Sequence, residues 1–536
     1  MSYDVVVLGS GAAGLTAAFT AAHEGARVAV FEKHHRIGGT SAWSGGHVWI
    51  PNNPHMAGIG ADDSAEEAMA YLMSLGRGLV DERLVRAFVE GGPRMASFLE
   101  ERGGVRFFAV PGLPDYYPSN PGGKPGGGRT MGTELFPFDE LGEWRDRVEP
   151  CPYYPSDYRM DETAIGATVP KPPSPQERAR RAVRDERGMG QSLVGLLLTA
   201  CLRAGVEFET SAPAVDLVLE DGRVTKAVLG DGRTVRADRG VILATGGFEW
   251  NPEYRATFLR GVVGMPVSIP TNTGDGLRMA MGVGAALQNM REAWWIPATE
   301  LPPGVNGMNR EMINGDRTRP RSIMVNRQGR RFTNEAVNYN AIGGAFHQED
   351  VNAFGYANLP AWLIFDHAYL LRYGSIGRPY AGETPPWLVE APTLEALAKR
   401  LGVVSGALEE TVERWNANVA SGVDPDFHRG ETAHDLWWGD PYKKGLVEGT
   451  LGPLDTPPFY AMELTIGTLG TKGGPKVDAD ARVIDLDGAP IPGLYAAGNV
   501  MAGVTGPGYP GAGSTIGTGM TFGFLAAHHA TSEKRG

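Results

Sequence analysis

The residues best suited to chemistry in this 536-residue chain are tyrosines set among glycine and proline. Tyr509 lies in "TGPGYPGAGSTIG", Thr505 to Gly517, where five of thirteen residues are glycine. Tyr116 and Tyr117 sit in "PGLPDYYPSNPGGKPGGG", positions 111 to 128, with eleven Pro or Gly out of eighteen. Tyr339 follows "IMVNRQGRRFTNEAVN", Ile323 to Asn338. A phenol near pKa 10 donates a good hydrogen bond to a developing oxyanion, and it can act as a base where its surroundings depress that value. The set Tyr116 or Tyr117, Tyr339 and Tyr509 suits removal of a proton alpha to a ketone.

Such chemistry needs a scaffold and an electron acceptor, and the N-terminus supplies the pattern for both. "YDVVVLGSGAAGLTAAFTAAHEGARVAVFEK" reads as a strand over Val5 to Leu8, a turn through Gly9, Gly11, Ala12, Ala13 and Gly14, a helix, and a strand over Val28 to Phe31. Glycines at those positions give a tight turn, close approach of a pyrophosphate and close helix-to-strand packing, while the helix N-terminus supplies amide donors. Glu32, 23 residues after Gly9, stands where a ribose hydroxyl is bound, with Lys33 beside it. A second cluster, "IGGTSAWSGGHVWIPNN", offers Gly39, Thr40, Ser41, Ser44, Gly45 and Gly46 to an extended cofactor, which suits FAD better than NAD. "VILATGGF" adds Thr245, Gly246 and Gly247, and "IPGLYAAGNV" adds Gly498 and Asn499. These separated segments imply one nucleotide domain assembled from both ends of the chain. No second strand-GxGxxG-helix unit is present, so electrons are expected to leave to an acceptor other than nicotinamide, with a quinone-like molecule as a candidate.

Composition narrows the function class. A net charge of −12 argues against a nucleic-acid partner, because phosphate binding needs a basic face. Two cysteines, Cys151 and Cys201, make neither a disulfide framework nor a metal site, so no metal is expected. No stretch approaches eighteen consecutive apolar residues, and no secretion signal precedes the first strand, which points to the cytoplasm, with peripheral membrane contact left open.

The segment at 111 to 128 reads either as a flexible surface loop or as a rigid aromatic loop at the site. "KPPSPQERARRAVRDERG", Lys171 to Gly188, reads as a linker and a charged, solvated helix. From about residue 288 the glycine turns thin out and tryptophans accumulate: Trp294, Trp295, Trp362, Trp387, Trp415, Trp437 and Trp438. The expected class is α/β: a Rossmann-like FAD-binding domain over 1–287 and 448–536, with an inserted α+β substrate domain over 288–447.

Together these stretches resemble the flavoprotein superfamily of the succinate dehydrogenase and fumarate reductase flavin subunits. "TNTGDGLRMAMGVGAAL" resembles a cofactor-contacting turn of that superfamily and adds Asp275 to the candidates. Members that attach FAD covalently carry a histidine before the Thr of the second cluster; Gly39 stands there, which implies noncovalent FAD. "VNRQGRRFTNE" is similar to an element bordering the superfamily's active site, but the arginine that clamps dicarboxylates is missing near Tyr509. Arg330 and Arg331 are the only nearby substitutes, and charges beside a hairpin are expected to be solvated.

Within the superfamily, "GYPGAGSTIG", "GTLGTKGG" and "DYYP" resemble the 3-ketosteroid Δ1-dehydrogenases. The resemblance implies that Tyr509 and the N–H of Gly513 bind the carbonyl of a steroid-like substrate, that Tyr339 takes the neighbouring proton and that Tyr116 supports Tyr339. Thr515 and Ile516, just beyond, join the cofactor candidates. Pro507, Gly508 and Ala512 depart from the usual residues around the tyrosine and bear on which ring substituents fit. The competing readings are a desaturase of another cyclic ketone, a dicarboxylate reductase and a flavin-loaded binding protein without turnover.

Overall fold

The computed structural model describes residues 1–305 and 307–532. These divide into two compact units, the first comprising 1–259, 268–293 and 470 onward, the second 260–267 and 294–469. The second unit's long segment therefore begins and ends later than the 288–447 insertion read from the sequence.

The first unit is built on a parallel sheet. Strand β1 (Ser2–Leu8) leads through the glycine turn into helix α1 (Ala12–His23) and strand β2 (Val28–Phe31). β1 pairs in parallel with β2 on one side and with Thr234–Leu243 on the other, which in turn pairs in parallel with Pro490–Ala496. Thus strands from the two ends and the middle of the chain lie side by side. A parallel strand covered on both faces must be apolar throughout, which is why Val5, Val6 and Val7 are fully buried.

The second unit is organised differently. Its six-stranded sheet runs Arg310–Met312, Ala293–Glu300, Phe459–Thr471, Ala361–Asp366 and Ser322–Asn326, with Val389–Ala391 paired onto Phe459–Thr471. The strand pairs resolved in register are antiparallel. Helices Leu394–Leu401 and Ala407–Ser421 place Leu397, Leu408, Val412 and Trp415 in one core with Ile323, Val325 and Ile364 of that sheet. This is the α+β arrangement, and Trp295 and Trp415 are core residues within it.

Candidate active site

The cofactor candidates of the first unit converge on the C-terminal end of its parallel sheet. Gly9 has a positive φ of 103°, and a methyl there would come within 2.4 Å of the Ala244 carbonyl oxygen. A methyl on Gly14 would come within 2.1 Å of the Gly9 oxygen. Both positions are closed by protein. Gly11 differs: the nearest neighbour of a Cβ there would be Ser41 Oγ at 3.4 Å, so the start of α1 is more open than the positions of Gly9 and Gly14.

Polar side chains tie the clusters to one another. Ser10 donates to Glu32 from both N and Oγ, at 3.0 and 2.6 Å, and the His34 N–H holds the other carboxylate oxygen. The N–H of Ala12 donates to Ser41 Oγ at 3.0 Å, joining the first glycine turn to helix α2 (Gly39–Trp43). Ser44 Oγ turns back to the Ser41 carbonyl and receives the Gly46 N–H. Asn272 donates to Thr40 Oγ1 at 3.1 Å and lies against Gly246. Lys33 and Asp275 pair with each other at 2.6 Å, with Thr273 alongside. Gly498 approaches Ala13, and Gly276 approaches Thr245 Oγ1.

The residues fit an extended dinucleotide. The hydroxyl of Thr245 is buried without a protein hydrogen-bond partner where a Cβ on Gly276 would meet it, and the hydroxyl of Ser514, at the start of the helix Ser514–Ser532, is unpartnered as well. Buried polar groups are normally satisfied, so such orphans suit a polar ligand.

Tyr509 is positioned by its backbone. The carbonyl oxygens around it are occupied: those of Pro507 and Gly508 accept from Lys472 Nζ, at 3.0 and 2.9 Å. The Pro510 oxygen accepts from Tyr71 Oη and the Tyr116 N–H, the Ala512 oxygen from Thr130 Oγ1, and the Gly513 oxygen from the Trp49 N–H. An irregular segment can be buried only when such groups are paired, and here partners other than a strand pair them. Tyr509 Oη accepts from Thr515 Oγ1 at 3.1 Å. The cofactor candidate Thr515 is thereby directed at Tyr509. Gly513, at φ 96°, immediately precedes the helix Ser514–Ser532 and packs against His47 so closely that any Cβ would strike its backbone.

The Pro/Gly-rich segment at 111 to 128 is packed, with Asp115 and Tyr116 buried. Tyr116, not Tyr117, packs its ring edge-on to Tyr509, with centroids 5.1 Å apart. The preceding Asp115 accepts from Arg129 at 2.8 Å, Trp49 Nε1 at 2.8 Å and the Lys124 N–H at 3.0 Å. Burial nonetheless pushes this carboxyl up to about 6.

Tyr339 belongs to the second unit. It opens the helix Tyr339–Phe346, capped by Asn338, which accepts the Ala341 N–H. Asn326 to Gly329 form the expected tight turn, with the Gly329 N–H on the Asn326 oxygen. The expectation of solvated charges holds for Arg330 and fails for Arg331. Arg331 is buried between Glu335 at 2.7 Å and Asp424 at 2.8 Å, and Arg429 reaches Glu335 at 3.1 Å. Burial raises the Glu335 value and the two arginines outweigh it, holding the carboxyl below the usual range. Arg331 is therefore committed to the protein and is not available as a substrate clamp.

Sequence reading passed over His47, Glu249, Asn272 and Lys472, although each lies inside or beside a glycine motif. His47 is buried with Nε2 unpartnered, and burial pushes its imidazole down to about 4. Glu249 accepts from Ser268 and Asn272, and its value is raised by burial. A polar residue adjoining a paired glycine was the available signal.

A model of the FAD binding domain family matches residues 4–516. The chain belongs to that family. It is 41% identical to the 4-oxocyclohexanecarboxylate 2-dehydrogenase of Sinomonas cyclohexanicum, over 100% of this chain and 94% of the relative. It is 38% identical to the 3-oxosteroid 1-dehydrogenase of Mycobacterium tuberculosis, over 99% and 98% respectively. Among solved structures, the 3-ketosteroid Δ1-dehydrogenase of Sterolibacterium denitrificans, in complex with 1,4-androstadiene-3,17-dione, superposes with a TM-score of 0.91 at 36% identity. That match covers 99% of this chain and 100% of the other. This member of the FAD binding domain family is an FAD-dependent oxidoreductase with a Rossmann-like cofactor domain, and none of its described helices is long and apolar enough to cross a membrane.

Proposed function

We propose that this flavoenzyme desaturates the A ring of a 3-ketosteroid between the carbons alpha and beta to the ketone. What supports the reading is the Tyr509 loop, whose carbonyls are taken up by Lys472, Tyr71, Tyr116 and Thr130 just before the helix Ser514–Ser532; its phenol and the N–H of Gly513 are assigned as the donor pair for an enolate oxygen. Each such donor contributes about 3 kcal/mol of transition-state stabilisation. Tyr339 is assigned the alpha proton and Tyr116 its support, by resemblance to the family. The second unit is assigned the role of substrate domain. Gly11, Gly39 to Ser41, Thr245 to Gly247 and Gly498 would hold noncovalent FAD, which when bound would supply a hydride acceptor for the beta carbon.

A second reading has its own support. The relative is named for 4-oxocyclohexanecarboxylate, a small ring ketone that carries a carboxylate, and His47 has an unpartnered imidazole nitrogen beside Gly513. Anaerobic mixing of the yellow protein with 4-androstene-3,17-dione or 4-oxocyclohexanecarboxylate separates the two. Bleaching with 1,4-diene formation supports the steroid assignment. Bleaching by the small ketone alone replaces it, and persistence of colour with both rejects ring-ketone desaturation.

A further inference from the structure

Lys472 is 1% exposed, and an ammonium so buried must be matched by acceptors. Its Nζ donates to the carbonyls of Pro507 and Gly508, the two residues that precede Tyr509, and stands 5.9 Å from the centroid of the Tyr509 ring. Its main chain serves the same loop: the Gly503 N–H donates to the Lys472 oxygen at 2.8 Å. Thr505 Oγ1 adds a further bond to the Gly508 carbonyl at 3.0 Å. A structural crosslink between carbonyls needs no charge, since an amide side chain makes the same bonds. A full positive charge beside a phenol does something more, because it favours the form that carries negative charge.

We propose that Lys472 is a positioning residue for Tyr509, fixing the turn through two carbonyls and, by its charge, strengthening the phenol as a hydrogen-bond donor to the substrate carbonyl. The proposal rests on the assignment of Tyr509 to the carbonyl. Other ionisable groups surround the same loop. Tyr116 packs on the Tyr509 ring, Tyr71 bonds the Pro510 carbonyl, His47 adjoins Gly513, and Asp115 and Arg129 pair with each other beneath Trp49. Lys472 Nζ stands over the Tyr509 ring beside them.

The test begins with the holoenzyme and needs no substrate. Tyrosinate absorbance is titrated in the wild type and in Tyr509→Phe, and the step absent from the variant belongs to Tyr509. In Lys472→Gln, which keeps hydrogen-bond donors and removes the charge, this step is expected to move up by about one pH unit. In Lys472→Arg it is expected to stay near its wild-type position. With a ketone that the enzyme turns over, Lys472→Gln is expected to lower kcat/KM about tenfold, with the loss recovered in Lys472→Arg. An unmoved step in flavin-loaded Lys472→Gln overturns the role of the charge. Should Lys472→Gln fail to retain flavin, the wild type decides alone: a Tyr509 step at or above that of the buried Tyr71, identified with Tyr71→Phe, overturns the proposal. A shifted step without turnover of any ketone would leave the lysine–phenol coupling standing and reject the functional reading instead.

Discussion

Two segments hold tyrosines by contrasting compositions, and neither composition decides by itself how the segment is held. Residues 111 to 128 are so rich in proline and glycine that they read either as a flexible surface loop or as a rigid aromatic loop, while "NRQGRRFTNE" is so charged that it suggests a solvated hairpin. In the fold each is anchored by a buried carboxylate on arginine: Asp115 on Arg129 in the first, Glu335 on Arg331 and Arg429 in the second. The difference lies in what else holds them. The first segment is also fastened through backbone, with the Tyr116 N–H on the Pro510 carbonyl and the Asp115 N–H on the Lys124 carbonyl. The second has backbone bonds within its own turn, the Asn326 N–H on the Arg330 carbonyl and the Gly329 N–H on the Asn326 carbonyl, and adds side-chain bonds from Arg317 to the carbonyls of Glu335 and Val337. Composition describes a segment's local freedom, whereas buried partners decide whether that freedom survives folding.

The sharpest way to break this comparison is kinetic. Tyr339→Phe is expected to lower kcat by about 10²- to 10⁴-fold with steroid affinity largely retained, and Tyr116→Phe by about tenfold, in stopped-flow flavin reduction. A larger loss from Tyr116 than from Tyr339 would exchange their assigned roles. Stability comes next. Glu335→Gln leaves two buried arginines, Arg331 and Arg429, with Asp424 as their remaining carboxylate and is expected to cost about 3–5 kcal/mol in denaturant unfolding. Asp115→Asn, whose segment keeps its backbone bonds, is expected to cost about 1–3 kcal/mol. Equal costs would show that the second arginine on Glu335 contributes nothing separable.

His47 gives a pH signature in the first unit. Its imidazole is held near 4 in the fold against about 6.5 unfolded, so the neutral form is the folded one. The associated stability is complete above pH 6.5 and is lost as pH falls toward 4, by about 3 kcal/mol. Thermal unfolding of wild type and His47→Gln over that window is expected to show this part of the loss in the wild type alone; parallel curves would place the ring in contact with solvent. The smallest effect expected is that of Arg330→Gln, within about 0.5 kcal/mol, beside a several-kcal/mol cost for its neighbour Arg331→Gln. Similar costs at the two positions would contradict the burial of only one of them.

The alternation of strand, glycine turn and helix at the N-terminus was legible because it is local: Val28–Phe31 is a strand within the bounds its apolar run indicates, and the glycine spacing implies the α/β class and FAD. The tyrosines stood out by their rarity among glycines, but not their surroundings. Which of Tyr116 and Tyr117 faces Tyr509 follows from a carbonyl nearly four hundred residues away in the chain, and the burial of Arg331 follows from Asp424 and Arg429. His47 and Lys472 lay inside recognised motifs, yet their exposure is set by distant segments. The sequence by itself determined the cofactor class and the sheet that carries it, because turn geometry and strand burial depend on neighbours in the chain. Only the tertiary structure decided which polar side chains are buried and what they meet, because desolvation and pairing depend on neighbours in space.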